Sequence, residues 1–436
     1  MAATGTVFDV SFIPRTEISL ESKYGDIMNI LVVSQYYYPE PFRITDICEA
    51  LVARGHSVTV VAGIPNYPEG EIYPGYEGSA NSVEIRNGVR IIRCNNLPRH
   101  KGVVALAKNY ITYVQCANRV VRNLTDDFDV VYVYQLSPVT MAIPAIKYAK
   151  KHRVPLVMYV LDLWPESIRD MGSDRHISSR NPLFLAAEFL SKRIYSQVDM
   201  MLVKCREFED YYLDLGLKKL AYKVLLEHAE DSYLQVDEEP ENNGVIDLMF
   251  LGNIGASSNC DLIVKAAAQL KPTNPFKIHF VGDGSDLERV KQMVRDLDIT
   301  DYVVFHGRHP RSEIYRFYNL ADVCLLTLAN TSSIGLTPPG KLPGYMAASR
   351  PILASIDGAA KTIVEDANCG LVAKADDVEA FAALMQRVVD DPDCLCHMGT
   401  NGRKYFLENF TLDNHVSKLE SIMQSLVGEE NVTFYK

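Results

Sequence analysis

The feature that most constrains this chain is a rhythm. From Met28 onward, short apolar runs rich in β-branched residues alternate with stretches of helical period. Ile30–Val33, Ser57–Ala62, Val89–Arg93, Val130–Tyr134, Leu156–Val160, Met200–Val203 and Lys223–Leu226 read as strands. Arg43–Arg54, Val103–Leu124, Pro138–His152 and Pro182–Gln197 read as helices between them. Apolar strands separated by helices pair in parallel, and the helices cover both faces of the sheet.

A polar stretch, Glu227–Gly244, interrupts the rhythm, which then restarts with strands at Ile246–Leu251, Lys277–Val281, Val303–His306, Val323–Leu326, Pro351–Ala354 and Gly370–Val372. At 436 residues the chain exceeds what one hydrophobic core supports. The expected fold is α/β, with two Rossmann-like, doubly wound domains at 28–230 and 231–410. The helix Leu412–Leu426, in the segment 411–436, is expected to pack back across the junction. Residues 1–27 show neither period, and their apolar part, Val7–Pro14, is broken by Asp9. That is too short and too polar for a signal peptide, so a disordered or loosely docked extension is expected.

Composition narrows the class. With 47% hydrophobic and 23% charged residues, the chain reads as a soluble globular enzyme. It lacks a run of 18 apolar residues that would span a membrane. Its nine cysteines are scattered, and the close pair Cys394-x-Cys396 lacks metal-ligand spacing, which points to free thiols in a reducing cytoplasm. Residues 28–225 hold 24 Lys and Arg against 20 Asp and Glu, a net of +4, whereas 226–436 hold 18 against 31, a net of −13. A basic half on an acidic protein suggests an anionic partner. Arg99-His-Lys101, Lys108, Arg119 and Arg122 border a helix with an apolar-aromatic face, which suits an anionic membrane surface; a core helix with solvated cations explains it too. The basic clusters are too short, and the chain too acidic, for nucleic acid.

Ligands of open α/β sheets bind beyond the strand C-termini. There the chain places Ser34-Gln-Tyr-Tyr-Tyr-Pro-Glu-Pro-Phe-Arg43, Gly63-Ile-Pro-Asn-Tyr-Pro-Glu-Gly70 and Leu161-Asp-Leu-Trp-Pro-Glu-Ser167 in the first half. The second half places Gly252-Asn-Ile-Gly255 and Gly282-Asp-Gly284 in the equivalent positions. Further on, Ser333–Leu353 begins as a Gly/Pro-rich loop with a single cation, Lys341, and feeds a short helix. Backbone N–H groups and a lysine at a helix start form an anion site; an ordinary loop–helix connection is the alternative.

Seven of these motifs occur in one order across residues 28–420: Tyr38-Pro-Glu40, Arg54-Gly-His-x-Val-Thr-Val60, Pro65-Asn-Tyr-Pro-x-Gly70, Asp162-Leu-Trp-Pro-Glu-Ser167, Gly252-Asn-Ile-Gly255, Gly282-Asp-Gly284, and Pro339-Gly-Lys-Leu with Tyr345-Met-Ala-Ala. In them the chain resembles a family 4 glycosyltransferase of the GT-B fold, in the fucosamine-transferase-like branch that assembles bacterial surface polysaccharides. The resemblance implies two domains facing across a cleft, with acceptor bound by the first and nucleotide sugar by the second. It implies retention of configuration without a metal or other cofactor, and a cytoplasmic enzyme peripheral to the inner face of the membrane. The donor would be a nucleotide-diphosphate hexose, N-acetylated or deoxy, and the acceptor a lipid-diphosphate-linked saccharide.

Carried onto this sequence, the resemblance puts Asp162 and Lys341 in catalytic roles. Gly252, Asn253, Gly255, Gly282, Asp283, Gly284, Arg308, Gly340 and Lys341 would hold the donor. Tyr37, Arg43, Asn66, Tyr67 and Trp164 would hold the acceptor, with metal ligands absent. Structural readings stand beside several of these: Asp162 also suits an N-cap, the glycines suit turns, and the aromatic loops suit packing. One departure is plain. Where many members carry Glu-x7-Glu, this chain has Leu336 and Gly344, and the usual clamp cations fall at Asn253 and about Ser258. A nucleotide-sugar epimerase of the same fold, or a catalytically silent sugar-nucleotide-binding partner, therefore stands as an alternative.

Overall fold

The structure, a computed structural model, describes residues 27–79, 81–100, 102–167, 180–241, 243–329 and 338–428. The expected extension (apart from Ile27), Lys101, and Leu336 with the rest of 330–337 lie outside these.

Two sheets carry the architecture. The first contains β1 (Asn29–Val33), β2 (Ser57–Gly63), β3 (Val83–Arg86), β4 (Val89–Cys94), β5 (Val130–Gln135), β6 (Leu156–Val160), β7 (Met200–Val203) and β8 (Ala221–Val224). Its spatial order is β3-β4-β2-β1-β5-β6-β7-β8, parallel except for β3. The second contains β9 (Ile246–Leu251), β10 (Phe276–Val281), β11 (Val303–Gly307), β12 (Val323–Thr327), β13 (Ile352–Ser355) and β14 (Gly370–Ala373), in the order β11-β10-β9-β12-β13-β14. The order in which parallel strands are added across the sheet reverses between β1 and β5 and between β9 and β12. These are the topological switch points at which doubly wound sheets open a crevice.

Helices cover both faces. In the first half, α1 (Ile44–Ala53) lies on one face, and α2 (Val103–Asn123), α3 (Ile143–His152), α4 (Pro182–Tyr195) and α5 (Arg206–Asp214) lie on the other. In the second half these are α6 (Cys260–Ala267), α7 (Leu287–Asp296), α8 (Ile314–Leu320), α9 (Lys341–Ala347), α10 (Gly358–Asp366), α11 (Val378–Asp390) and α12 (Met398–Asn409). A separate apolar cluster fills each sheet face.

The strand β3 is absent from the sequence-based expectation. It forms a hairpin with β4 through Asn87 and Gly88, whose φ values of +46° and +81° are those of a two-residue Asn-Gly turn. The expected helix at 138–152 is also divided: Val139–Ala142 is a 3-10 turn, and α3 starts at Ile143.

The last helix, α13 (Leu412–Gly428), packs on α1 of the first half and lays Val416, Leu419, Ile422, Met423 and Leu426 into its core. A buried polar clasp pins it. Arg54 bonds Glu420 Oε2 at 2.8 Å, Ser417 Oγ at 2.9 Å, and Asp413. The Met28 N–H donates to His56 Nδ1 at 3.1 Å, which leaves the proton on Nε2, donated to Glu420 Oε1 at 3.0 Å.

Candidate functional site

The loops after β9 and β10 are zipped together. Gly252 N–H donates to Val281 O and Ile254 N–H to Asp283 O, both at 2.9 Å, while Gly282 N–H donates to Gly307 O at 2.8 Å. The fit leaves no room for side chains. A Cβ on Gly282 would stand 1.9 Å from Gly252 O at a φ of +146°, and one on Gly284 would stand 2.3 Å from Ile254 O. Leu251, Gly252, Asn253, Val281, Gly282, Asp283, Gly284, Arg308, His309 and Ile314 line the resulting cavity of about 690 Å³. That is ample for a nucleotide diphosphate. Six of the nine expected donor residues therefore meet in one place. Gly255 sits just behind, against the Asn253 amide, and the Asp283 carboxylate turns back to accept the Gly284 N–H at 2.7 Å.

Lys341 opens α9, and its ammonium is the unusual group of the site. The stem is half-buried, but Nζ is covered and has no hydrogen-bond partner among the described residues. It stands 3.9 Å from the centroid of the Phe250 ring and 3.5 Å from where a Gly252 Cβ would be. Burial pushes its pKa down to about 8. The helix is only seven residues long, so the lysine rather than a helix dipole carries the positive charge here. One turn on, the Tyr345 hydroxyl fixes α9 against the sheet: it accepts Leu251 N–H at 3.2 Å and reaches the carbonyls of Leu251 and Leu325 at 3.3 Å.

The departures noted in the sequence are built into the packing. A Cβ on Gly344 would meet the Tyr318 hydroxyl at 2.9 Å and the Tyr233 ring at 3.5 Å, so two tyrosines fill the space an acid would need. Ser258 is buried and donates to Asn253 O at 2.7 Å, so it props the β9 loop.

Across the cleft, Arg43 and Gly340 meet in a second cavity of about 70 Å³ that includes Lys204, Glu227, His228 and Pro339. This cavity joins the two halves, and neither Lys204 nor His228 was expected from the sequence.

The acceptor-side loops are organised by a residue the sequence reading left unassigned. Glu40 is buried, and its carboxylate accepts N–H groups from Tyr37 (3.1 Å), Asn66 (2.9 Å) and Tyr67 (2.8 Å), stapling the β1 loop to the β2 loop. Burial pushes its pKa up to about 7 against the pull of those three donors. Over this staple, Tyr67 packs with Phe42 at 5.0 Å and Tyr36 at 5.7 Å between ring centroids, and the Arg99 guanidinium lies 5.3 Å from the Tyr67 ring.

Two expected contacts are corrected. Tyr37 is fully buried in the α1-side core, so its ring cannot face a ligand. Asn66 is buried, and its amide is occupied by Arg99 N–H (2.8 Å) and Ile64 O (2.7 Å); it is scaffold. Asp162 and Trp164 stay half-buried at the cleft edge and are bound to one group. Ser137 donates its N–H and its hydroxyl to Asp162 Oδ2, each at 2.9 Å, and the hydroxyl accepts Trp164 Nε1–H at 2.8 Å.

Comparison with known proteins agrees with this geometry. A family model described as "Glycosyl transferases group 1" matches residues 234–405, and one described as "Glycosyl transferase 4-like domain" matches residues 42–225. A GDP-mannose-dependent alpha-(1-6)-phosphatidylinositol monomannoside mannosyltransferase of Mycolicibacterium smegmatis is 28% identical over 167 residues, which is 37% of this chain and 44% of that protein. The match thus spans less than half of that curated relative. Among solved structures, sucrose-phosphate synthase from Thermosynechococcus elongatus superimposes with a TM-score of 0.67 at 15% identity, over 92% of this chain and 100% of that one. Anabaena HepE, in complex with UDP, gives a TM-score of 0.63 at 13% identity, over 91% and 100%. These likenesses establish the two-domain fold of GT-B glycosyltransferases.

Proposed function

We propose that the chain, whose two halves match the group 1 and the 4-like glycosyl transferase models, transfers a hexosyl group from a nucleotide-diphosphate sugar to a lipid-diphosphate-linked saccharide, with retention of configuration. The observation that carries the reading is the Lys341 ammonium, buried and lacking a hydrogen-bond partner among the described residues, against the glycine-lined cavity. A diphosphate would supply the missing partner.

In this scheme the bond between the anomeric carbon and the diphosphate oxygen breaks. The acceptor hydroxyl forms its bond to the same carbon on the same face, and its proton passes to the departing phosphate oxygen. Negative charge grows on the diphosphate as the bond breaks. Lys341 meets that charge from a fixed position. The scheme calls for no metal. Donor nucleotides differ among similar proteins: GDP-mannose is named for the mannosyltransferase and UDP for HepE. The aromatic platform of Tyr36, Phe42 and Tyr67 with Arg99 suits a saccharide that carries an anionic diphosphate. Surface polysaccharide assembly at the inner face of the membrane is the setting we assign.

Incubation of labelled nucleotide sugar with and without a lipid-diphosphate saccharide tests this. Nucleotide diphosphate released only with the lipid, together with a labelled lipid product, is the expected result. Epimerised donor would assign an epimerase instead, and donor binding with no turnover would assign a silent binding partner.

A further inference from the structure

Cys94 closes β4, Cys116 lies on α2, and both belong to the apolar cluster on one face of the first sheet. Their sulfurs are hydrogen-bonded to each other. Cys116 Sγ also accepts, at 3.1 Å, the N–H of Asn95, the residue next to Cys94. Standard backbone dimensions then put Cys116 Sγ within about 5.5 Å of Cys94 Cα, close enough for a disulfide after a small movement. Cys94 is fully buried, whereas Cys116 is 6% exposed, and its S–H points at Asn81 Oδ1, 3.5 Å away. Asn81 and Asn95 are both exposed, so a small oxidant reaches Cys116 between them.

The two thiols differ in acidity. The Cys94 S–H, and with it the Asn95 N–H, pulls the Cys116 thiol down to about 7 against the effect of burial. Burial pushes the thiols of Cys48, Cys205, Cys260, Cys324 and Cys369 the other way. A core position asks only for an apolar group. A contacting pair with one acidic, reachable member is the arrangement of a reactive thiol beside its resolving partner.

The pair also stands at the root of the acceptor-side loops. Residues 95–99 run on from Cys94 and are held between α2 and the β2 loop. Leu97 N–H donates to Thr112 Oγ1 at 3.0 Å, Leu97 O accepts from Asn109 Nδ2 at 2.6 Å, and Arg99 N–H donates to Asn66 Oδ1 at 2.8 Å. Asn109 Oδ1 in turn accepts from Gln35 Nε2, in the β1 loop, at 2.6 Å. An S–S bond of about 2.05 Å is shorter than hydrogen-bond contact by on the order of 1 Å. Its formation therefore moves α2 against the loops that carry Tyr36, Tyr67 and Arg99.

We propose that Cys94 and Cys116 form a reversible thiol–disulfide switch on the acceptor side of the cleft. The oxidant is a hydroperoxide. The Cys116 thiolate attacks a peroxide oxygen, the O–O bond breaks, and a sulfenic acid forms as hydroxide leaves. The Cys94 sulfur then attacks the sulfenic sulfur, the S–S bond forms, and the sulfenic oxygen leaves as water with the Cys94 proton. Two thiols thus lose two electrons and two protons, and hydrogen peroxide becomes two waters. A dithiol reverses the step by exchange. The effect on acceptor rests on the transferase reading above; the bond itself does not.

Peptide mass spectrometry of the full chain tests the switch, after treatment with hydrogen peroxide and blocking of the remaining thiols in denaturant. Wild type should yield a peptide pair joined through Cys94 and Cys116, lighter by two hydrogens and separated again by dithiothreitol. Both thiols still free when the exposed Cys396 is oxidised would overturn the proposal. So would Cys116 carried on to the sulfinic acid with Cys94 untouched. Oxidised wild type should show an acceptor KM raised roughly fivefold or more, with nucleotide affinity unchanged. Cys116→Ser, or Cys94→Ala should the first fold poorly, should keep one KM before and after peroxide. Equal KM in reduced and oxidised wild type would sink the switch. Absence of transfer by the reduced protein would count against the transferase reading alone. The joined peptides, and a change in hydrogen exchange along α2 on oxidation, would then decide the switch without it.

Discussion

The Lys341 ammonium lies 3.9 Å from the centroid of the fully buried Phe250 ring, covered from solvent and without a hydrogen-bond partner among the described residues. The ring offsets part of the desolvation cost of the charge, but a ring supplies no acceptor oxygen. The fall in pKa from 10.5 to about 8 corresponds to about 3 kcal/mol of folding stability forgone while the lysine is charged in both states. In the linkage sense, the folded protein holds fewer protons than the unfolded chain between those two values, so its stability rises with pH in that window. Lys341→Met keeps the stem and removes the charge. It should stabilise the ligand-free protein at pH 7 by up to about 3 kcal/mol in denaturant unfolding. A destabilised variant would mean the ammonium has a partner in the free protein.

Gly282 tests the glycine zipper. Alanine there adds a Cβ that meets Gly252 O at 1.9 Å and adopts a left-handed φ of +146°. We expect Gly282→Ala to cost about 2–4 kcal/mol in thermal or chemical unfolding and to abolish nucleotide binding, because the β9 loop must move. Alanine at Gly340, where an added Cβ meets nothing within 4 Å, serves as the control and should fold as wild type.

Glu40 is a positioning residue. Glu40→Ala leaves three buried backbone N–H groups without an acceptor and should destabilise the protein by about 2–4 kcal/mol. The specific sign of loop positioning is kinetic: a higher KM for acceptor with nucleotide affinity unchanged. A stability loss with acceptor KM unaltered would reduce Glu40 to a core residue.

The clasp between Arg54 and Glu420 joins segments far apart in the chain, with both side chains 7% exposed. Glu420→Ala strips the main buried partner of Arg54 and the acceptor of His56, and should cost about 3 kcal/mol. Hydrogen exchange should then rise along α13 before it rises in β1 or β2. Uniform exchange across the first half would show that α13 is no separate unit.

Much of the fold could be read from periodicity, because buried parallel strands are apolar on both faces and stand out as runs. The hairpin strand β3 was overlooked although Asn87-Gly88 announces it, since only half of its side chains are even partly buried. The donor loops were readable for a related reason: glycines at the ends of β9 and β10 exist to let two backbones touch. The acceptor side was harder. Three consecutive tyrosines, 36 to 38, give no hint of which ring enters the core, as the answer depends on how the loop lies against α1. The Arg54-Gly-His56 motif served as a family mark, yet its work is to hold α13, a partner more than 350 residues away. That Lys341 was a cation in an anion loop could be read; that its ammonium would be buried over Phe250 could not, because β9 and α9 meet only in the folded chain.

The central claim is that Lys341 binds the donor diphosphate, and calorimetric titration of UDP and of GDP across pH 7 to 9.5 tests it most directly. Ionisation of the nucleotide over that range acts equally on wild type and Lys341→Met, so the difference between the two profiles belongs to Lys341. Wild-type affinity for the preferred nucleotide should be steady near pH 7 and weaken as pH rises through about 8, approaching tenfold per pH unit, because the free lysine loses its proton there. Lys341→Met should bind about 1.5–3 kcal/mol more weakly at pH 7 and show no such decline. The same affinity and the same pH profile in both proteins would contradict the account.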